Sequence, residues 1–158
     1  MWDNKYLYLG ALVKDNVHSE KHTASDIWNG DSLQFSLDTQ RGVKSRSVGI
    51  DEFGLALDDS GQLHKWRWIA SNGHSEGSVD NISAVVKKNG DNMTYEAAVP
   101  WNEILQNGAK PTLNSILGFS LIVNDSDGKS RRGWIEFSGG IGGGEKDPSM
   151  FGELYLMN

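Results

Sequence analysis

The chain contains no cysteine. Disulfides, thiolate metal sites and cysteine nucleophiles are therefore excluded, while the compartment stays open, because many bacterial secreted proteins also lack the residue. Long apolar runs are missing as well; none approaches the roughly 20 residues that cross a bilayer as a helix. Positive charge is scarce: 15 Lys and Arg stand against 21 Asp and Glu, a net charge of −6. With those basic residues scattered along the chain, nucleic acid is not the expected partner. Proline occurs three times, whereas glycine occurs nineteen times and tryptophan six. Many glycines with few prolines suit a fold with many tight turns. A length of 158 residues fits one domain, 1–158, with a sizeable core. The chain opens on Met1-Trp2-Asp3 and enters a strand pattern almost at once, so an export signal would lie upstream.

Strand patterns dominate. "SLQFSLD", from Ser32 to Asp38, has period two: Leu33, Phe35 and Leu37 point one way, Ser32, Gln34 and Ser36 the other. Tyr6–Lys14 alternates more weakly. Further strands are expected at Ser45–Ile50, Gly54–Leu57, Leu63–Ile69, Ile82–Lys88, Met93–Val99, Ile116–Asn124, Gly133–Phe137 and Glu153–Met157, with turn signals such as "DSG", "NGD" and "NDSDG" between them. The one helical signal is "PWNEILQNG", where Pro100 suits a first turn and Gly108 could end it. The expected fold is all-β: an antiparallel β-sandwich with jelly-roll or immunoglobulin-like layers and one short helix after Pro100.

No catalytic constellation emerges. The loop "SGGIGGGEKDP" fails as a phosphate loop, because Gly144 is followed by Glu145, Lys146, Asp147 and Pro148 rather than by Lys and Ser or Thr. His18 and His22 in "HSEKH" lack the Glu and the helix of a zincin and read as solvated loop histidines. "NDSDG", Asn124 to Gly128, lacks the third ligand and sixth-position glycine of an EF-hand and reads as a turn, with a calcium loop as the competing reading. Acids are plentiful, but spacing singles out no pair. No serine sits in a nucleophile elbow.

The tryptophans divide by context. Trp66 and Trp68 share one strand face opposite Lys65 and Arg67, so the pair is expected in the core with the charges in solvent. Trp101 reads as a packing anchor. Trp28 is different: it sits in the polar turn "IWNGD", either folded back as a lid or facing outward to meet a ligand. Asn29 and Gly30 keep that turn near solvent, and Asp31 is expected to resist burial, which favours the outward case. Trp134, in "RRGWIEF", is the second candidate contact.

In order along the chain, "WDNKYLYLGALVKD", "IWNGDSLQFSLD", "YEAAVPW", "LGFSLIVNDSDG" and "KDPSMFGELYL" resemble the family 9 carbohydrate-binding modules. That resemblance implies a β-sandwich without catalysis. Its members are usually fused to other domains of secreted glycan-degrading enzymes, so an extracellular or cell-surface location is implied too. It makes Trp28 the ring that stacks on a sugar, since a pyranose offers an apolar face to an indole. Arg132 falls where the family places polar sugar contacts. A second stacking tryptophan is expected before "DPSMFG" and is absent here, leaving Trp134 as the replacement. The family's first strand segment, with its Asp-Gly signature, has no counterpart. Structural calcium is implied as well, with Asp15, Asp31, Asp125 and Asp127 as the candidate ligands. Two other readings compete. One is a DOMON-type haem or electron-transfer domain, for which Met93, Met150 and the four histidines supply residue types. The other is an interaction module of a larger envelope protein that has lost its sugar site.

Overall fold

Strict alternation in Leu33, Phe35 and Leu37 commits one face of that strand to a core, and the architecture is built around it. The computed structural model describes residues 1–41, 49–71, 73–143 and 146–158. Its strands are β1 (Tyr6–Lys14), β2 (Ser32–Asp38), β3 (Ile50–Leu57), β4 (Leu63–Ile69), β5 (Gly77–Ser78), β6 (Ser83–Asn89), β7 (Asn92–Pro100), β8 (Ile116–Asp125), β9 (Gly133–Glu136) and β10 (Gly152–Tyr155). All pairings are antiparallel. The smaller sheet has the order β1–β7–β6; the larger runs β10–β8–β2–β3–β4–β5, with β9 also paired to β8. The expected strand Ser45–Ile50 falls mainly on 42–48, outside the described residues.

The sheets face each other across one core. Leu33, Phe35, Leu37, Phe53 and Leu55 of the larger sheet meet Leu7, Val86, Tyr95, Ala97 and Val99 of the smaller. Phe35 and Phe53 stack at 5.2 Å between centroids. Trp101 closes one end of the core, buried, with its indole N–H donating to the Asp3 carbonyl at 2.7 Å. Pro100 leads into a 3₁₀ turn at Trp101–Glu103 rather than an α-helix. The segment offers only one turn before the chain bends away, too short for α-helical hydrogen bonding to propagate.

The expectation for β4 is inverted. Arg67 is buried, with its guanidinium 4.9 Å from the Phe53 ring centroid and Nη2 donating to Glu103 Oε2 at 2.5 Å. Lys65 also turns inward, and its Nζ donates to the carbonyls of Asp80 and Ile82. Trp66 and Trp68 consequently leave the sandwich core for the outer face of the larger sheet. A buried charge is tolerated here because Glu103, 36 residues away, supplies the counter-charge. The register slips at the same point: Phe53 pairs with Arg67 but Glu52 with Ile69, so Trp68 is an extra, bulged residue. Bulges re-aim side chains, and this one swings the Trp68 ring across Gly54. A Cβ at position 54 would lie 2.2 Å from that ring.

Arg67→Ala should destabilise the fold by about 3–5 kcal/mol, because it strands Glu103 as an unpaired buried charge. Urea unfolding measures this; a loss within about 0.5 kcal/mol, as for a surface position, would contradict the buried placement.

Candidate functional site

Every residue of β2 is buried, including the four on its polar outer side. A polar sheet face hidden from water must satisfy its own hydrogen bonds, and here it does so along a row. Asn124 Nδ2 donates to Ser32 Oγ at 2.9 Å and to Gln34 Oε1 at 2.7 Å. Gln34 Nε2 donates to Glu52 Oε1 at 3.1 Å, and Lys146 Nζ donates to that same oxygen at 2.8 Å. Arg131 Nη1 closes the other end on Asn124 Oδ1 at 3.0 Å. The row crosses β8, β2 and β3 and forms the floor of a cleft of about 390 Å³.

Two covering segments make the walls. A 3₁₀ turn, Ala24–Asn29, buries Ile27 and leaves Trp28 37% exposed. Trp68 anchors this turn by donating its indole N–H to the Ser25 carbonyl at 2.8 Å. Ile141, Gly143 and Lys146 form the other wall; next to the cleft Trp134 of β9 is 43% exposed, with Gly142 packed against its indole nitrogen. Between them lies Arg131, whose guanidinium carbon is 4.8 Å from the Trp28 ring centroid and 4.6 Å from that of Trp134. Burial lowers the Arg131 pKa from its ordinary value, but an arginine stays charged in proteins. The two rings thus offer their negative faces to one fixed cation. The cleft has aromatic walls, fixed donors and a polar floor, the makeup of a site for a hydroxyl-rich ring.

Comparison with known proteins decides the family. The model for the carbohydrate family 9 binding domain-like family matches residues 1–158. The chain belongs to this family. Endo-1,4-beta-xylanase A of Thermotoga maritima is 31% identical over 158 residues, covering 99% of this chain and 13% of that protein. An exoglucanase of Acetivibrio thermocellus is 30% identical over 163 residues, again covering 99% and 13%. The chain therefore spans about an eighth of the length of those relatives (13%). A solved family 9 carbohydrate-binding module from Caldicellulosiruptor kristjanssonii, in complex with cellotriose, shares the fold: TM-score 0.73, 24% identity, 99% of this chain and 72% of that one. The same module with glucose gives a TM-score of 0.72 at 24% identity, over 99% of this chain and 73% of that one. The family 9 domain is a binding module, not a catalytic one.

Within this family 9 domain the residues singled out in the sequence scatter over three places. Trp28 lines the cleft, and Trp134 stands beside it on the other side of Arg131. Arg132, adjacent to Arg131, turns outward, with its side chain 62% exposed and paired with Asp127. Asp15 and Asp31 meet behind the cleft, and Asp125 lines the same recess, whereas Asp127 is held at the surface by Arg132. Asp31 does not resist burial: it is 4% exposed, accepting from the backbone N–H groups of Ser19 and Ser126 at 2.5 and 2.7 Å. Nor is His18 solvated; its side chain is 7% exposed beside Asp31. Calcium takes six to eight oxygen ligands. The third donor that closes on Asp15 and Asp31 is the His18 imidazole, so this trio does not fit calcium. For the haem reading, Met93 is sealed in the sandwich core and Met150 is at the surface. Gln34, Glu52, Asn124, Arg131 and Lys146 were not singled out in the sequence, and Trp68 was expected in the core; only Gln34 carried a signal, its place on the polar side of β2.

A buried polar knot supports the Trp28 turn from behind. Glu20 is fully buried; its Oε1 accepts the backbone N–H of His22 at 2.6 Å and faces the ring Nδ1 of His22 at 3.1 Å. His22 Nε2 meets Asn29 Nδ2 at 3.3 Å, and Asn29 Oδ1 accepts the backbone N–H of Arg131 at 3.2 Å. Gly30 allows this packing, since a Cβ there would sit 2.4 Å from Glu20 Oε1. Burial pushes the Glu20 carboxyl up to about 7 and that of Asp31 to about 6. Each folded carboxyl therefore keeps its proton to a higher pH than in the unfolded chain, and the stability this confers is lost as pH rises through those values. The melting temperature should fall as pH rises from about 4 to about 7. Glu20→Gln, which keeps an acceptor for His22, should flatten the profile and melt higher than the parent at pH 8; a variant that melts lower there would show that the charge itself is required.

Proposed function

We propose that this domain binds the pyranose units of a β-1,4-linked plant polysaccharide, with Trp28 and Trp134 as stacking walls and Arg131, Gln34, Glu52 and Lys146 as hydroxyl partners. The observation that carries this reading is the pair of half-exposed indoles flanking a fixed guanidinium above a hydrogen-bonded polar floor. Indole faces take the apolar C–H face of a sugar, while its hydroxyls need rigid donors and acceptors around the edge. The solved family 9 module described with cellotriose and with glucose supports a glucan or xylan ligand, as do relatives named as xylanases and an exoglucanase. A place inside a longer glycan-degrading protein, acting outside the cell or at its surface, accords with those relatives. The domain tethers and performs no chemistry; its parent would supply the hydrolysis.

Arg131 rather than Arg132 is the arginine assigned to the sugar. Trp28→Ala should weaken cello- or xylo-oligosaccharide binding by about 2 kcal/mol or more, as a central aromatic anchor does. Its stability should change by about 1 kcal/mol or less, since the ring is half-exposed and held by a cation–π contact. Arg131→Ala should weaken binding similarly, and Arg132→Ala should leave it nearly intact. Calorimetric titration beside melting curves measures both quantities. A Trp28→Ala protein that binds sugar normally, or a parent that binds nothing on a glycan array, would end this reading and favour an interaction module.

A further inference from the structure

We infer that Asp15, His18 and Asp31 form a site for a borderline divalent cation such as zinc, behind the sugar cleft and independent of it. The three side chains come from the end of β1, the loop after it and the residue before β2, and their donor atoms lie within 4.8 Å of one another. The decisive group is His18. Its Nε2 is 2.8 Å from the Leu57 carbonyl oxygen, and a carbonyl can only accept, so Nε2 carries the proton. In the neutral ring Nδ1 then presents a lone pair. That atom is buried with no hydrogen-bond partner among the described residues, and its nearest acidic neighbour among them is Asp31 Oδ2 at 3.5 Å. Asp15 is arranged the same way. Its Oδ1 accepts the backbone N–H of Val17 at 2.9 Å, and its Oδ2 is buried without a partner among the described residues.

An imidazole lone pair and two carboxylates thus converge with no donor between them. In a low-dielectric interior such a cluster is repulsive unless a cation enters it. The orientation is that of a ligating histidine, one nitrogen tied to a backbone carbonyl and the other free for metal. Asp31 is likewise braced, by the backbone N–H groups of Ser19 and Ser126. A recess of about 50 Å³, lined by Asp15, Asp31 and Asp125, adjoins the trio. That leaves room for about one coordinated water, at roughly 30 Å³ each. One nitrogen and two carboxylate donors suit zinc, cobalt, nickel or manganese, whereas calcium takes oxygen alone. Bound there, the ion would join the smaller sheet, through Asp15, to the larger, through Asp31.

The competing occupant is a second proton, making His18 an imidazolium paired with the two carboxylates. Chelator-treated protein without a polyhistidine tag would be titrated with zinc chloride and, separately, calcium chloride, by calorimetry and thermal melting. Cobalt chloride would report an imidazole ligand through its visible d–d bands. The expected result is one zinc per chain, a melting temperature that rises with zinc and not with calcium, and cobalt bands lost in His18→Ala. Asp15→Asn, which keeps the shape of the site, should weaken zinc binding by more than about 100-fold if its carboxylate ligates directly. Oligosaccharide affinity in Asp15→Asn should match the parent, which separates this site from the sugar reading. Absence of stoichiometric zinc binding, zinc binding that survives in both variants, or stabilisation by calcium instead would overturn the assignment.

Discussion

The row of side chains from Arg131 through Asn124, Gln34 and Glu52 to Lys146 is the constraint on which the rest of the molecule turns. A β-sandwich ordinarily leaves the outer faces of its sheets to water. Here the outer face of the larger sheet carries a polar row beside the apolar patch of Ile50, Ile69 and Ile122, and both are covered, so the row has to satisfy its hydrogen bonds without bulk water. Once that condition is met, the covering segments have a fixed surface to lie on. The Ala24–Asn29 turn docks through Trp68 and Ile27, and residues 137–143 and 146–151 dock through Ile141, Phe151 and Lys146. The cleft is the gap between these two coverings. Its floor is rigid because it doubles as structural bonding, the preorganisation that a weakly hydrophobic ligand requires.

Charge follows the same economy. Lys146 neutralises Glu52, and Asn124 holds Arg131 without opposing its charge. On the inner face Arg67 and Glu103 cancel one another beside the Phe53 ring. The two faces of the larger sheet thus each carry buried ions, separated by the thickness of a single sheet. What differs is access. The inner pair is sealed, whereas the outer set opens on the cleft.

Legibility in the sequence tracks locality. β1, β2 and β4 were delimited correctly by alternation and flanking turns, because those signals lie within seven to nine residues. The side assignment of β4 failed because it assumed that charges face water. Arg67 is buried through a partner in a distant turn and through a bulge, and neither leaves a mark in "LHKWRWI". His18 illustrates the same limit: its burial depends on the Leu57 carbonyl, 39 residues away. Trp28 was legible because its polar turn is a local property. Arg132 was named over Arg131 on the resemblance alone, since adjacent residues differ only in which face they take, and that is set by the pairing of β8 with β9.

Arg131 also bears on how the cleft keeps its shape. Two indoles left to themselves across a narrow gap tend to close on each other or fill with disordered water. A guanidinium held between them acts as a strut, so neither ring has to be immobilised at the moment of encounter. The same strut occupies the space a flat ring would enter. A guest ring would therefore meet the exposed parts of the two indoles with Arg131 still in place between them.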